Sequence, residues 1–511
     1  MKNASRILFI ALFVGAALIR FADVFRPINK ASWRESDLGS ISRNFATEQM
    51  NLLYPRIDWR GDGPGYAEME LPIYPYLTAI GYEVFGFHEQ IPRFLGFLFS
   101  LAALFFFYRL AREYLNPFAA VIAFSFFALN PLIVETSTSV QPEGLMLMAY
   151  IAAVLFFIRW MKNGGTVDYI LAIVATAFTI LAKAPSAHVG IFFGVLILEK
   201  YGLAALKQWR IWLFGILSIL PGALWYFHAK NLWLTYGNSL GVSNEYHWIG
   251  FDFFTDPNFI GGILRNEFVY VWLFFGLIVG AFAVIRGYRE EAARQPLLWL
   301  ASVFALYILA ARTTSEDWAN YYHVFSIPPV ALIFGLAIEK VWDWARDVAD
   351  EYAVRSAANT LIRALVVPAI VVAILASLGV EAKQVRAAYM DKHIEDPSLV
   401  FAHKIKPELS DDGLILVSGG HCYDKDGYPL AYNASFMFYW LERKGWNICI
   451  EEQSADRVRS FGLRGAKYFV AQRSMLEAKP GLTDQLASRY AIVDRSDDFL
   501  VFDLTSALPA D

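Results

Sequence analysis

Apolar runs of membrane-spanning length recur along most of the chain, and polar connections separate them. A straight membrane helix needs about 20 apolar residues, and several runs are shorter, so we set their bounds to within a few residues. The predicted helices lie at residues 7–22, 94–110, 119–134, 144–161, 169–181, 189–198, 211–228, 268–285, 297–310, 324–338 and 361–378. The pattern predicts a polytopic α-helical membrane protein with about eleven spans.

Basic residues cluster on alternate connections between these helices. The clusters are Lys2 and Arg6; Arg109 and Arg112; Arg159 and Lys162; Lys200, Lys207 and Arg210; Arg286, Arg289 and Arg294; and Lys340, Arg346, Arg355 and Arg363. All of them lie on one side if eleven helices alternate, and the positive-inside rule makes that side cytoplasmic. The N-terminus is therefore expected in the cytoplasm, and the C-terminal segment outside. Arg20, near the outer end of the first run, is expected to extend to the interface.

The pattern changes after residue 379, where short apolar runs alternate with helix-like segments. Buried strands are predicted at residues 413–418, 446–450, 466–471 and 498–504, and helices at residues 435–444 and 455–461. Such alternation is typical of an α/β domain with a largely parallel sheet. We therefore predict a transmembrane domain at residues 1–379 and an extracytoplasmic α/β domain at residues 380–511.

Both cysteines, Cys422 and Cys449, fall in the C-terminal segment. One follows the first predicted strand and the other lies in the next, so the two thiols could be neighbours in the fold. An extracytoplasmic location permits a disulfide. The sequence leaves two alternatives open, a disulfide or two reduced, buried thiols.

Composition supports the membrane assignment. Of the 511 residues, 57% are hydrophobic and 16% aromatic, whereas only 18% are charged. Soluble domains contain more charge and lack repeated apolar runs of this length. The net charge of −4 gives no reason to expect a nucleic-acid partner.

The long polar connection after the first helix, about residues 23–92, is the strongest functional signal. Its opening WRESDLGSISRNF places Asp37 in a segment with helical spacing of Leu38, Ile41 and Phe45. A carboxylate on such an amphipathic helix at the water–lipid boundary can accept a proton from an attacking hydroxyl group. The alternative is that Asp37 only complements the dipole at the helix N-terminus.

Several motifs resemble one superfamily of membrane enzymes. The segments are WRESDLGSISRNF, YPRIDW, EMELPIYPYL, IPRFLG, QPEGL, LAKAP, PGALWYFHA and NYYHVFSIPPVAL, which together reach to about residue 340. They resemble GT-C glycosyltransferases of the family 39 type, which includes protein O-mannosyltransferases and aminoarabinose lipid A transferases. The resemblance implies a GT-C fold and an enzyme that takes a sugar from a polyprenyl-phosphate donor on the outer face of the membrane.

The resemblance also implies which carboxylates act in the first outer loop. Asp37 matches an early essential aspartate of the family, although Leu38 follows it where family members often have glutamate. Another register would make Glu35 the key carboxylate. Glu70 matches the acidic position before the Pro-x-Tyr-Pro segment, and Glu68 is the alternative there.

Basic and aromatic residues at predicted outer helix ends are candidates for holding the donor. Lys183, Arg93 and Arg312 depart from the inside bias of basic residues, and a leaving phosphate needs positive charge. His323, which follows Tyr322, matches the family's aromatic–histidine segment. The alternative for each is a side chain that only anchors its helix at the interface.

These observations predict an inverting glycosyltransferase in a bacterial inner membrane, with membrane lipids around it. Its substrates would be a polyprenyl-phosphate-linked sugar and an acceptor hydroxyl group of a glycan, lipid or protein. The resemblance allows a divalent metal, but no His, Cys and Asp cluster has specific ligand spacing, so no metal ligand or cofactor is assigned. Two alternatives are a polysaccharide polymerase or ligase with a diphosphate-linked donor, and a non-enzymatic envelope transporter or assembly protein.

Overall fold

A computed structural model describes residues 2–29, 33–242, 252–310, 312–351, 357–392, 396–410, 413–423, 427 and 434–507. The chain divides into two compact units. The first comprises Met1–Phe25, Arg93–Phe227 and Ser243–Lys392, and the second comprises Arg26–Pro92, His228–Val242 and His393–Asp511. The domain boundary predicted after residue 379 stays a prediction.

The described residues are mostly helical. In chain order the helices are α1 (Lys2–Asp23), α2 (Trp33–Thr47), α3 (Ile73–Phe85), α4 (Gln90–Tyr114), α5 (Pro117–Leu129), α6 (Pro131–Ser137), α7 (Glu143–Asn163), α8 (Thr166–Ala182), α9 (Val189–Tyr201), α10 (Trp209–Tyr236), α11 (Pro257–Asn266), α12 (Gly276–Gly287), α13 (Glu291–Ala310), α14 (Ile327–Glu351), α15 (Ala357–Lys392), α16 (Pro397–Ile405), α17 (Ser435–Leu441), α18 (Ala455–Leu463), α19 (Arg473–Glu477) and α20 (Leu482–Ala487). The strands are β1 (Ala67–Glu68), β2 (Asn238–Ser239), β3 (Leu414–Ser418), β4 (Gly445–Ile448), β5 (Ala466–Gln472), β6 (Tyr490–Arg495) and β7 (Phe499–Ala507).

The first unit contains the apolar helices. In the described residues, seven helices are long and apolar enough to cross a membrane, and three bent helix pairs raise the number to ten if each pair is one span. Helix α8 is a shorter apolar helix of the same unit. The predicted class, an integral membrane protein of many helices, is confirmed, whereas the predicted count of about eleven spans is not fixed by these helices.

The bend between α5 and α6 explains a buried arginine. Pro131 begins α6 after Asn130, and the axes of the two helices differ by 62°. The break leaves carbonyl groups at the end of α5 without a helical donor. Arg20 is 1% exposed and donates hydrogen bonds to the Ala128 carbonyl (2.7 Å) and to Ser137 Oγ (2.9 Å). The prediction that Arg20 extends to the interface is therefore wrong, because its guanidinium group stabilises this helix break.

A second bend lies between α11 and α12. The chain turns by 93° there, and a π-helical turn at Glu267–Val271 continues α11. Leu273 and Phe274 have φ values of 50° and 59°, in the left-handed region that L-residues with a side chain rarely adopt. Such backbone strain persists only where the surrounding packing holds it.

The second unit contains a five-stranded sheet in the order β4-β3-β5-β7-β6. Strand β3 pairs in parallel with β4 and β5, whereas β7 pairs antiparallel with β5 and β6. The predicted α/β segment is confirmed, but the prediction of a largely parallel sheet is wrong, because two of the four strand pairings are antiparallel. Strand β6 was not predicted. Strands β6 and β7 are antiparallel because the turn that joins them, from Arg495 to Phe499, is too short for the crossover that parallel strands need.

A disulfide joins Cys422 and Cys449, whose Cα atoms are 5.3 Å apart. It connects the residues that follow β3 to the end of β4, which decides between the two alternatives left open by the sequence. We expect the intact protein to gain the mass of two alkyl groups only after reduction. Because the disulfide closes a loop of 27 residues, its removal should destabilise the protein by roughly 2–4 kcal/mol. Two free thiols in the non-reduced protein would contradict this.

Candidate active site

Asp37 lies in the first half of α2, in the second unit. Its side chain is 1% exposed, and the indole N–H of Trp59 donates a hydrogen bond of 2.8 Å to Oδ1. Among the described residues, Oδ2 is buried and has no hydrogen-bond partner. Leu38, Ile41 and Phe45 are buried as the helical spacing predicted. One carboxylate oxygen is therefore oriented by Trp59, and the other keeps its capacity to accept a hydrogen bond.

The surroundings of Asp37 favour its neutral form. Burial raises the pKa of this carboxyl from 3.8 to about 7, and the nearby charge of Asp58 adds to the rise. The hydrogen bond from Trp59 and the charge of Arg34 oppose it. A carboxyl group with a pKa near neutrality can both take up and release a proton at physiological pH, as a general base requires.

The other candidate carboxylates of the first loop are held by neighbours in the same unit. Arg34 Nη2 donates to Glu70 Oε2 (2.5 Å), and its Nη1 donates to the Leu240 carbonyl (3.3 Å). Glu35 lies 3.7 Å from Arg26 in a buried ion pair. The Arg34 guanidinium group thus connects Glu70 to Leu240, the residue that follows β2.

The carboxylate of Glu68, the alternative to Glu70, accepts a hydrogen bond from the Ser239 hydroxyl group. The backbone there pairs in parallel, with Ala67 opposite Asn238 and Glu68 opposite Ser239. The Glu68 side chain therefore adds a hydrogen bond to the backbone pairing of β1 with β2 and stabilises it.

Lys183 occupies an anionic and aromatic cage in the first unit. Its ammonium group forms an ion pair with Glu143 at the start of α7, and it lies 4.4 Å from the ring centre of Tyr321 and 4.7 Å from that of Tyr322. Glu143 is 3% exposed, and its Oε2 has no hydrogen-bond partner among the described residues. The cage holds the Lys183 ammonium group at the C-terminal end of α8, beside Tyr322.

Sequence reasoning did not assign Glu143. Glu143 lies in the motif QPEGL and is the first residue of the apolar helix α7. A carboxylate at that position could have indicated a functional residue. A buried carboxylate in a membrane segment needs a partner, and Lys183 is that partner.

The structure describes the side chain of Arg93 but only the backbone of Arg312. Arg93 is fully buried at the beginning of α4, and its Nη1 donates to the Thr138 carbonyl (2.9 Å). The Thr138 hydroxyl group in turn donates to Asp23 at the end of α1. Arg312 begins a short turn, Arg312–Ser315, and its side chain lies outside the described part of the chain.

His323 is fully buried in a polar cluster of the first unit. Its Nδ1 lies 2.7 Å from Glu267 Oε1, and its Nε2 lies 2.9 Å from the Thr314 carbonyl. A carbonyl oxygen only accepts, so Nε2 donates to it, and both ring nitrogens have partners within the protein. His323 therefore joins Glu267 to the segment that contains Thr314.

Breaking this pair should cost stability. Replacing Glu267 with alanine leaves His323 Nδ1 buried without its partner, and the loss of one member of a buried pair costs roughly 3–5 kcal/mol. Thermal unfolding of the purified protein would measure it. Arg265→Ala is the matched control, because the exposed ion pair of Arg265 with Asp317 connects the same two segments and contributes less than about 1 kcal/mol. Equal losses in both variants would contradict the assignment.

Among the described residues, one group brings three potential metal ligands together. Cys422, Cys449 and Glu451 have ligand atoms within 4.8 Å of one another. Both sulfur atoms belong to the disulfide, so this group does not fit a metal ion in the oxidised protein. We therefore assign no metal ligand among the described residues.

The predicted site residues thus fall into two sets. Asp37 and Glu70 lie in the second unit, and Lys183, Arg93, Tyr322 and His323 lie in the first. Within each unit the structure joins them to residues that the sequence did not single out, chiefly Trp59 and Glu143.

Residues 64–226 match the family described as dolichyl-phosphate-mannose-protein mannosyltransferase. The chain is similar to the crystal structure of ArnT from Cupriavidus metallidurans bound to undecaprenyl phosphate, with 15% identity, a TM-score of 0.60, and coverage of 99% of this chain and 98% of that one. It is also similar to the apo oligosaccharyltransferase of Archaeoglobus fulgidus, with 15% identity, a TM-score of 0.55, and coverage of 95% and 73%.

A third similar structure is the arabinofuranosyltransferase AftD from mycobacteria, with 14% identity and a TM-score of 0.53. That match covers 98% of this chain and 41% of AftD. No curated protein matches the chain. These similarities confirm the GT-C fold that the resemblance of the sequence motifs implied.

Proposed function

We propose that this chain, a membrane protein with the GT-C glycosyltransferase fold, transfers a sugar from a polyprenyl-phosphate donor to an acceptor hydroxyl group. The observation that supports this most is Asp37, a buried carboxyl group with one oxygen oriented by Trp59, the other without a partner among the described residues, and a pKa near 7. Undecaprenyl phosphate is bound in the similar ArnT structure, which supports a donor of this chemical class.

In the proposed reaction Asp37 removes the proton of the acceptor hydroxyl group as its oxygen attacks the anomeric carbon. The bond from that carbon to the phosphate oxygen breaks in the same displacement, and the configuration inverts. The polyprenyl phosphate departs with the bonding electron pair. Lys183, oriented by Glu143 and two tyrosine rings, would stabilise the negative charge that develops on the phosphate.

The other predicted site residues receive supporting roles in the proposal. Arg34 holds Glu70, so we assign Glu70 to positioning within the first loop. Arg93 and Arg312 are candidates for further phosphate contacts, His323 is a candidate for binding the donor, and Tyr322 is part of the Lys183 cage. The distribution of basic residues supports a cytoplasmic N-terminus and an outward-facing C-terminal segment in a bacterial inner membrane. The acceptor belongs to the class of glycans, lipids or proteins with a hydroxyl group.

The test is transfer or hydrolysis of radiolabelled polyprenyl-phosphate sugars by the purified protein in nanodiscs. We expect turnover of one sugar and loss of that turnover in Asp37→Asn. Asp62→Asn, an exposed aspartate of the same loop, is the matched control and should retain activity. No turnover with any monophosphate donor, together with turnover of a diphosphate-linked oligosaccharide, would overturn the proposal in favour of a polymerase or ligase.

A further inference from the structure

Part of the first loop lies along the edge of the C-terminal sheet, within the second unit. The N–H of Gly445, at the start of edge strand β4, donates to the Asp58 carbonyl (3.1 Å). The N–H of Gly61 donates to the Gly445 carbonyl (2.5 Å). Trp59 lies between these two backbone contacts. The residue that donates to Asp37 is thus held on the sheet edge by main-chain hydrogen bonds, as an added strand would be.

The approach at Gly61 leaves no room for a side chain. Its φ is +63°, and a Cβ atom there would lie 2.1 Å from Trp446 Nε1. Gly63, two residues further on, has space, because its Cβ atom would meet only the Arg60 carbonyl at 3.4 Å. The close contact is therefore confined to the part of the loop that lies on the sheet edge.

Arg43 makes a second connection to the same loop residues. Its Nη2 forms an ion pair with Asp58, and its Nη1 donates to the Tyr439 carbonyl in α17 (3.0 Å). The other oxygen of Asp58 accepts from Asn44 Nδ2 (2.8 Å). Helix α17 also packs closely on α2, where a Cβ atom at Gly39 would lie 2.7 Å from the Tyr439 ring.

We propose that the C-terminal α/β segment is a positioning element for Asp37, acting through Trp59 on the edge of β4 and through the Arg43–Asp58 pair. The proposal rests on the proposed function for the role of Asp37, but not for the contacts themselves. Asp37, Trp59, Asp58 and Arg43 all come from the first loop, yet their arrangement depends on residues of β4 and α17. The C-terminal segment is therefore part of the site's construction.

The groups that face Asp37 determine how its titration responds. Arg34 on the same helix lowers the pKa of Asp37, and Asp58 raises it. Helices α17 and α3, which pack against α2, carry Tyr439 and Tyr82. Burial and the charge of Glu89 raise the pKa of both phenols above the ordinary value. Neither tyrosine is charged near neutral pH, so a shift in the midpoint reports on Asp58, Arg34 and the Trp59 hydrogen bond.

The indole N–H of Trp59 offers a readout that needs no substrate. Full-length protein labelled with ¹⁵N-tryptophan would be titrated in nanodiscs by NMR, with the Trp59 signal assigned from Trp59→Phe. We expect this signal to shift with a midpoint near pH 7 in the wild type and to lose its pH dependence in Asp37→Asn. A signal unaffected by Asp37→Asn would overturn the proposal.

Two variants should move that midpoint in opposite directions. Gly61→Ala displaces Trp59 from the sheet edge, which weakens a hydrogen bond that lowers the pKa of Asp37, so the midpoint should rise. Asp58→Asn removes a negative charge and leaves Arg43 unpaired, so the midpoint should fall. General destabilisation of the fold would not produce shifts of opposite sign.

Gly63→Ala is the matched control and should keep the wild-type midpoint. A wild-type midpoint in Gly61→Ala, or shifts of the same sign in Gly61→Ala and Asp58→Asn, would overturn the positioning role. Sugar transfer would be measured on the same samples. Transfer that persists in Asp37→Asn, combined with the expected NMR shifts, would refute the general base and leave the positioning contacts established.

Discussion

Asp37→Asn should lower sugar transfer by roughly 10²- to 10⁴-fold, the range that a positioned general base contributes. Asparagine has nearly the same shape and can still accept the hydrogen bond from Trp59, but it cannot take up the proton of the acceptor. Wild-type kcat/KM should rise with pH through a midpoint near 7, because the pKa of Asp37 is raised to about that value and only the ionised form is a base. In Asp37→Asn, the residual kcat/KM should not rise with pH through this midpoint.

The same substitution should stabilise the protein. In the folded state the pKa of Asp37 is raised from 3.8 to about 7, so the folded protein binds more protons than the unfolded chain between these values, and stability falls as pH rises through that window. Each pKa unit corresponds to about 1.4 kcal/mol. A neutral asparagine removes this cost, and the midpoint of thermal unfolding at pH 7.5 should rise. An inactive variant that is also less stable would indicate a misfolded loop.

Lys183→Gln should weaken binding of undecaprenyl phosphate by roughly 10- to 100-fold, the value of a hydrogen bond between charged groups. The substitution removes the ammonium group that lies between Tyr321 and Tyr322 and leaves Glu143 buried without its ion-pair partner. Binding would be measured in nanodiscs by competition with a labelled lipid phosphate. Lys183→Arg retains the charge and should recover part of the affinity.

The chain provides a matched control for this experiment. Lys162 is also paired with a carboxylate, Glu113, and lies 5.2 Å from the ring centre of Tyr114. Lys162→Gln removes the same kind of cation from the same kind of surroundings at a predicted cytoplasmic position. Its affinity for undecaprenyl phosphate should match the wild type. Equal losses in both lysine variants would show that the effect comes from general positive charge.

Much of this architecture follows from local patterns in the sequence. Apolar periodicity predicted the helical membrane class, and the buried positions of α2 matched their helical spacing. The alternation after residue 379 predicted an α/β segment with four of its five strands. These features are set by residues close together in the sequence, and hydrophobic periodicity is a direct indicator of such local structure.

Long-range partners could not be predicted in the same way. Arg20 suggested an interfacial side chain, because nothing near it in the sequence indicates that Ala128 and Ser137 lie beside it. The pairing of Lys183 with Glu143 likewise depends on how α7 and α8 pack. Strand β6 was missed because Tyr490–Arg495 mixes charged and apolar residues at the sheet edge, with little of the continuous apolar run that marks a buried strand.

The contact between Asp58–Gly61 and Gly445 has a consequence for how the protein is made. A related contact in this region, from Arg43 to Tyr439, joins residues 396 positions apart, and at about 5–20 residues per second a ribosome needs on the order of 20–80 s to synthesise such a stretch. During that interval the segment with Asp37 has emerged without the strand edge that orders it. A ribosome that stalls before β4 would leave a nascent chain that has its membrane helices but lacks the strand to which Asp58 and Gly61 bond. Under the proposed function, such an incomplete chain would not transfer sugar.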